Sequence, residues 1–380
     1  MSINKCRICK NELFRKPLIR YKNMPKTAQF FPDIKSFRKD KGIILKIFQC
    51  SGCGLVQLKD APVFYYKDVI RATNISEEMK VFRTKQFNNF INKFYLKNKK
   101  IIEIGCGFGD YLSILNKTGV DAYGLENSTE SVKKCRKNKM NVLKGFIKNT
   151  NYKIKYHPFD AFLMLNFLEH LPDPNSALRG IYNNLKDNAV GIIEVPNSDI
   201  IFKNNLFSEF ISDHLSYFTK ETFKTALNIN GFEIIKCDNV WHNYIISAFV
   251  RKKKKIETEK LYRQKDKIKK EIEKYISRFK NNRVAVWGAG HQALAAISLF
   301  DLEGKIKYIV DSAPFKQNKF TPATHIPIFS SEKLRTNSVD AVIIMAASYS
   351  DEVAKTIKKE FSNINIAILR DFGLEEIRNY

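Results

Sequence analysis

What this chain lacks narrows its class first. No run approaches the roughly eighteen uncharged apolar residues that a membrane-crossing helix needs, so no membrane span is expected. The opening stretch MSINKCRICK has no apolar segment after its charges, so no secretory signal is expected and a cytoplasmic location is. Cysteine is scarce, with seven residues at 6, 9, 50, 53, 106, 135 and 237. An odd count in a chain of that location argues against a disulfide framework. Acidic residues are also few, 39 against 65 Lys and Arg, which leaves a formal charge of +26. A basic balance of this size could serve nucleic acid, a membrane surface or an anionic small molecule. The basic residues are dispersed, the only dense cluster is RKKKK at 251–255, and no aromatic–basic RNA-binding motif is present. Neither a nucleic-acid nor a membrane partner is therefore expected, while an anionic nucleotide ligand fits. Histidine is rare too, with six residues, so FISDHLSYF at 210–218 stands out. On its own, His214 there is as readily a surface residue with polar neighbours as a proton-transfer group.

What is present organises into an α/β chain of three domains plus a linker. Its 380 residues, 44% hydrophobic, suffice for two or three cores. Residues 1–70 hold CRIC and CSGCG, two Cys-x-x-Cys knuckles about forty residues apart. Cys6, Cys9, Cys50 and Cys53 have the spacing that sets four thiolates around one zinc ion. Four thiolates leave no open position for water, so the zinc is expected to be a structural staple rather than a catalytic metal. Residues 71–252 alternate apolar strands with amphipathic helices, the pattern of a doubly wound parallel sheet, and close with a hairpin pattern at 231–253. Within it, FDAFLMLNFLEHL reads as a strand running into a helix. Residues 253–282 read as a charged, solvated connector helix, and 283–380 as a second, smaller Rossmann-like α/β domain.

Two glycine turns follow strands, and their spacing separates them. The first reads acidic-x-G-x-G-x-G, with Glu103, Gly105, Gly107 and Gly109. Asp110 occupies the position where a dinucleotide fingerprint requires Gly or Ala, so a dinucleotide is not expected there. The pattern is that of S-adenosylmethionine-dependent methyltransferases. Such a ligand needs close backbone approach and a carboxylate for its ribose, which Glu126 at the end of the next strand supplies; Glu103 is read as ordering the loop. The second turn, Gly288-Ala-Gly290-His-Gln-Ala293 with Asp311 downstream, does fit G-x-G-x-x-A and keeps an NAD-dependent oxidoreductase open.

The order of parts resembles the three-domain sugar C-methyltransferases, which act on nucleotide-linked keto sugars. Besides the cysteines and the first glycine turn, NMPKTAQFFP, IIEVPN, DHLSYFTKETF and YIVDSAPFKQNKFTPATHIPI resemble the family's stretches. The resemblance implies S-adenosylmethionine and a structural zinc, a nucleotide-sugar substrate, and a monomer or homodimer. It makes His214 the base that forms an enolate, with Asp213 in the family's glutamate position orienting or charge-stabilising it. Asn197 and Tyr217 become substrate contacts, and Gly288, Gly290, His291 and Tyr349 would face the substrate's diphosphate. Two departures stand out. Ile211 replaces a family tyrosine, and DVIRATNISEEM replaces a tyrosine-rich stretch. O-methylation of a sugar is therefore the alternative.

Overall fold

A computed structural model describes residues 3–68, 75–280, 283–361 and 363–377. The chain divides into two compact units, Met1–Lys254 and Lys255–Tyr380. No helix among the described residues is long and apolar enough to cross a membrane.

Along the first unit run strands β1 (Ile19–Met24), β2 (Ile43–Gln49), β3 (Val56–Leu58), β4 (Lys100–Ile104), β5 (Asp121–Glu126), β6 (Val142–Lys144), β7 (Phe159–Leu165), β8 (Leu185–Pro196), β9 (Ser216–Tyr217), β10 (Phe232–Val240) and β11 (Ile245–Lys252). Its helices are α1 (Glu77–Lys93), α2 (Asp110–Asn116), α3 (Thr129–Lys137), α4 (Pro174–Tyr182), α5 (Ser198–Lys203) and α6 (Lys220–Ile229). Seven strands form one sheet in the order β10-β11-β8-β7-β4-β5-β6. Strands β4 to β8 are mutually parallel, and β11 runs antiparallel to both β8 and β10. Alternation along β4 sends Ile102 and Ile104 into one apolar core and Ile101 into the other, as a sheet covered on both faces requires. The covered faces carry one buried ion pair, Arg83 of α1 with Glu194 of β8 at 2.5 Å, to which Gln86 adds a 2.6 Å hydrogen bond.

The cysteine module expected over 1–70 belongs to this same compact unit. Its strands β1, β2 and β3 continue into β9, which lies more than 150 residues downstream, through Val56–Tyr217 and Gln57–Ser216 pairing. Arg7, inside the first knuckle, fixes the junction. Its guanidinium donates to the carbonyls of Pro172, Leu58 and Asp60 at 2.7, 3.2 and 2.8 Å. One correction concerns FLEHL. The strand β7 ends at Leu165 and a single 3-10 turn, Leu168–His170, replaces the expected helix. Pro172 and Pro174 follow immediately, and the next α-helix starts at Pro174 with Asp173 as its N-cap.

The second unit opens with helix α7 (Glu259–Ile276). Strands β12 (Val284–Trp287), β13 (Ile309–Val310), β14 (Lys319–Phe320), β15 (Pro327–Phe329), β16 (Ala341–Ile344), β17 (Asn365–Arg370) and β18 (Gly373–Ile377) make its sheet, in the order β14-β15-β13-β12-β16-β17-β18. Helices α8 (His291–Leu299), α9 (Lys333–Thr336) and α10 (Ser350–Glu360) complete it. The solvated connector expected at 253–282 is replaced by a helix that buries a stripe. Ile268, Ile272 and Tyr275, spaced four and three apart, sit in the second unit's core, and Leu374 N–H donates to Glu271 at 2.9 Å.

Candidate active site

The first glycine turn joins β4 to α2. Gly105, Gly107 and Gly109 all have positive φ, 73°, 53° and 82°. They serve different ends. A Cβ on Gly109 would meet Met140 Sδ at 2.7 Å, so this glycine packs against the protein itself. A Cβ on Gly107 would meet nothing within 4 Å, so this glycine faces open space. Glu126 anchors the turn. One carboxylate oxygen accepts from Gly107 N–H at 2.8 Å and the other from Ser128 N–H at 2.7 Å. Burial pushes its carboxyl upward against the pull of those N–H groups. A cleft opens here, lined among others by Gly105, Glu126, Asn127, Phe146, Met164 and Phe167. Apolar rings with the Glu126 carboxylate, the Asn127 amide and the Lys67 ammonium at the lining suit a heterocycle carrying ribose hydroxyls. Glu103 does not line the cleft; it is buried on the opposite face of β4 from Ile102 and Ile104.

The four cysteines converge. Their sulfurs all lie within 4.8 Å of one another, with Cys6–Cys53 at 3.6 Å and Cys9–Cys50 at 3.3 Å. Tetrahedral zinc with bonds of about 2.3 Å places sulfurs roughly 3.8 Å apart, so the set fits a four-thiolate zinc site. Backbone N–H groups of Ile8, Gly52 and Cys53 already point at the Cys6 and Cys50 sulfurs at 3.3–3.4 Å, which stabilises thiolates.

His214 stands just before β9, where the cysteine module's sheet meets the parallel-sheet domain. Its ring packs against that of His170 with centroids 4.8 Å apart and against Tyr217 at 6.2 Å. Burial first, and then the neighbouring His170, push its imidazole down to about 3, so it is neutral at physiological pH. Asp213 does not support the imidazole. Its carboxylate turns to the cysteine module, accepting from Tyr65 O–H at 2.7 Å and from Ala28 N–H at 3.0 Å. The Tyr65 hydroxyl oxygen in turn accepts from the N–H groups of Ala28 and Gln29. The stretch NMPKTAQFFP is thus tied to the histidine segment.

Two expected substrate contacts have hydrogen-bond partners within the protein. Asn197 caps α5 by accepting from Asp199 N–H at 3.0 Å and donates to the Asn243 carbonyl at 2.7 Å, which uses both ends of its amide. The Tyr217 hydroxyl both accepts from and donates to the Ile211 backbone, at 2.8 and 3.0 Å, and is buried. The remaining tyrosine-poor stretch around 69–74 lies outside the described residues. In the second unit, Gly288, Gly290, His291 and Tyr349 follow the adjacent parallel strands β12 and β16, beyond the C-terminal ends of that sheet's central strands. His291 and Tyr349 are exposed. A Cβ on Gly288 would meet the Met345 carbonyl at 2.6 Å, so tight strand packing already accounts for that glycine. Asp311, which an NAD site would turn to ribose, is consumed locally by Ala289 N–H, Ala313 N–H and Lys316.

Residues 79–236 match the model of a methyltransferase domain family, and residues 251–365 match that of a C-methyltransferase C-terminal domain family. The chain is an S-adenosylmethionine-dependent methyltransferase of the class I α/β fold. More narrowly, it is a homologue of the C-methyltransferases. It is 22% identical over 295 residues to the C-methyltransferase NovU of Streptomyces niveus, covering 69% of this chain and 70% of that one. A ubiquinone biosynthesis O-methyltransferase of Actinobacillus pleuropneumoniae serotype 7 is 27% identical over 105 residues, 25% of this chain and 44% of its own. Among solved structures, the plantazolicin methyltransferase BpumL in complex with SAH has a TM-score of 0.37 at 17% identity, over 47% of this chain and 86% of that one. A methyltransferase from Clostridium acetobutylicum has a TM-score of 0.39 at 13% identity, over 50% of this chain and 96% of its own.

Two residues beside His214 carry a stronger signal than reading the sequence gave them. Neither Glu169 nor His170 is among the expected site residues, yet Glu169, His170 and His214 place their polar atoms within 4.8 Å of one another. Tyr65 was missed as well, since nothing local marks it as the partner of a residue 148 positions away.

Proposed function

We propose that this enzyme methylates a carbon next to a ketone in a nucleotide-linked sugar, with His214 as the base. The observation that carries the reading is the placement of His214: a largely enclosed imidazole where the cysteine module's sheet meets the parallel sheet, free of any hydrogen-bond partner among the described residues. The match to a C-methyltransferase C-terminal domain and to NovU supports a carbon acceptor.

When bound, S-adenosylmethionine supplies an electrophilic methyl group. Glu126 and the Gly107 turn would hold it, the carboxylate taking the ribose hydroxyls and the apolar rings of Phe146 and Phe167 its base. His214 accepts the proton from the substrate carbon. Burial opposes an imidazolium there, so the proton is accepted only as an enolate oxyanion develops beside the ring and supplies the opposite charge. Asp213 acts on the loop, through Tyr65, rather than on the ring. The four cysteines would hold a zinc whose closed thiolate shell leaves it a structural role, ordering the sheet that ends in β9.

The test is transfer from methyl-labelled S-adenosylmethionine to a panel of nucleotide sugars, some keto and some fully hydroxylated, in deuterated water. Methylation of a keto sugar with solvent exchange at the adjacent carbon supports the proposal. Methylation of hydroxylated sugars alone would make the enzyme an O-methyltransferase and sink the enolate.

A further inference from the structure

Glu169 and His170 grip the chain on both sides of His214. His170 Nδ1 lies 2.9 Å from the Asp213 carbonyl, and the Glu169 carbonyl accepts from Leu215 N–H at 2.8 Å. A carbonyl can only accept, so Nδ1 must carry the proton of a neutral His170 and Nε2 must present a lone pair. Glu169 Oε1 lies 3.7 Å from Nε2, just outside hydrogen-bond distance, and the carboxyl is 2% exposed. Its Oε2 finds no hydrogen-bond partner among the described residues. Two acceptors buried face to face are repulsive, and only a proton or a cation between them relieves this.

We propose that Glu169 is a positioning residue, a neutral carboxylic acid whose proton closes the 3.7 Å gap to His170 Nε2 as a hydrogen bond and so locks the tautomer by which His170 orients the Asp213–His214 segment. This rests on the reading of His214 as the base. An ion pair of imidazolium and carboxylate contains the same number of protons, but it would place two charges in a site where burial disfavours both. The directions agree: burial pushes Glu169 up to about 8 and His170 downward. The Asp213 carboxylate pulls His170 upward, but burial outweighs it. His214 is neutral, Tyr217 is tied to the Ile211 backbone, and the Asp213 carboxylate faces Tyr65. Arg7, on the cysteine module, spends its guanidinium on three carbonyls.

The chain of contacts gives Glu169 a definite task. A base that must take a proton from carbon needs its imidazole held at a fixed angle. The Asp213 carbonyl on one side and Leu215 N–H on the other hold the His214 backbone to the 3-10 turn of residues 168–170. That turn is therefore the template for the base, and the proton on Glu169 keeps the template from repelling itself.

The experiment uses full-length protein labelled with 15N-histidine, compared as wild type, Glu169→Gln, Glu169→Ala and His170→Asn. His170→Asn assigns the resonance. The expected result is a His170 ring in the neutral Nδ1–H tautomer from pH 6 to 7 in the wild type, unchanged in Glu169→Gln, which keeps a donor. Glu169→Ala should shift the Nε2 resonance, by loss of its hydrogen bond. An imidazolium signal from His170 at neutral pH in the wild type, collapsing in Glu169→Gln, would establish an ion pair and overturn the proposal. So would one equivalent of metal beyond the cysteine-bound zinc, lost in both Glu169 variants. These readouts need no acceptor sugar, so they stand or fall apart from the transfer assay. In that assay, Glu169→Gln should stay within about threefold of wild type and Glu169→Ala should fall at least about tenfold.

Discussion

Tyr65 donates its hydroxyl proton to Asp213 at 2.7 Å, and the residue after that aspartate is His214. One hydrogen bond thus connects a loop of the cysteine module to the segment that carries the proposed base. Removing the hydroxyl with Tyr65→Phe leaves a buried carboxylate oxygen without its donor, a loss of about 1–3 kcal/mol. The expected outcome is a lower urea midpoint, faster proteolytic cleavage within residues 25–42, and unchanged affinity for S-adenosylmethionine, whose cleft Tyr65 does not line. A calorimetric titration beside urea unfolding and limited proteolysis checks all three. Cleavage no faster than wild type would mean that the loop is held by other contacts.

Two glycines of the donor turn should fail in different ways. Gly109→Ala introduces a methyl that Met140 Sδ would meet at 2.7 Å, at a φ of 82° that side chains rarely adopt. It should lose stability, by about 1–3 kcal/mol in denaturant unfolding. Gly107→Ala meets no protein atom within 4 Å, so its methyl projects into the space left for ligand. It should weaken S-adenosylmethionine binding at least about tenfold and cost less stability than Gly109→Ala, the positive φ of 53° being its main penalty. The reverse ranking, with Gly107→Ala the more destabilising and still binding normally, would place the donor elsewhere.

These contrasts mark what the sequence could and could not disclose. The glycine turn, the acid one strand later and the paired cysteine knuckles are local patterns, because each is built by backbone geometry over a few residues. Asn197 sits at a strand end where ligands often bind, yet a short helix begins there and takes the amide for its cap. The stripe Ile268–Ile272–Tyr275 was readable as a helix face, but not which core would cover it. Arg83 and Glu194 pair across 111 positions, and Tyr65 and Asp213 across 148. No spacing rule connects such residues; only the topology that brings β3 to β9 and α1 to β8 does.

His214 also makes a pH prediction with a definite sign. An unfolded imidazole protonates near 6.5, whereas in the folded chain burial lowers it to about 3. Between those values the unfolded state binds the extra proton, so the His214 contribution to stability is full above pH 6.5 and is lost as pH falls toward 3. Glu169 runs the opposite way. Its folded value near 8 lies above the unfolded one, so its contribution is full at low pH and fades as pH rises from about 4.5 to 8. His214→Asn should therefore gain on wild type as the solution is acidified from pH 7 to 5, and Glu169→Gln should gain as it is raised from pH 5 to 8. Thermal melts of the three proteins at matched ionic strength check both slopes. At neutral pH, His214→Asn should bind S-adenosylmethionine normally and transfer methyl about 10²–10⁴-fold more slowly. Near-normal turnover would remove it as the base.

Zinc removal should separate donor binding from catalysis. Cys6, Cys9, Cys50 and Cys53 close a site whose sheet ends in β9, while the donor cleft is built from β4, β5 and β7 with their loops. Structural zinc is worth about 10–16 kcal/mol of folding free energy in small modules, far more than the hydrogen bonds that hold β3 to β9 could replace. Cys50→Ser should therefore bind less than one equivalent of zinc by mass spectrometry, expose residues 210–218 to hydrogen exchange, and lose methyl transfer. One apolar core of the parallel sheet is shared with Cys6, Ile8, Phe48 and Cys50 of the module, but the other contains no residue of it, so S-adenosylmethionine binding should survive within about tenfold. Transfer and donor binding falling together would show instead that the cysteine module is needed to fold the whole first unit. Retained transfer without zinc would mean that Arg7 and β9 pairing alone hold His214 in place.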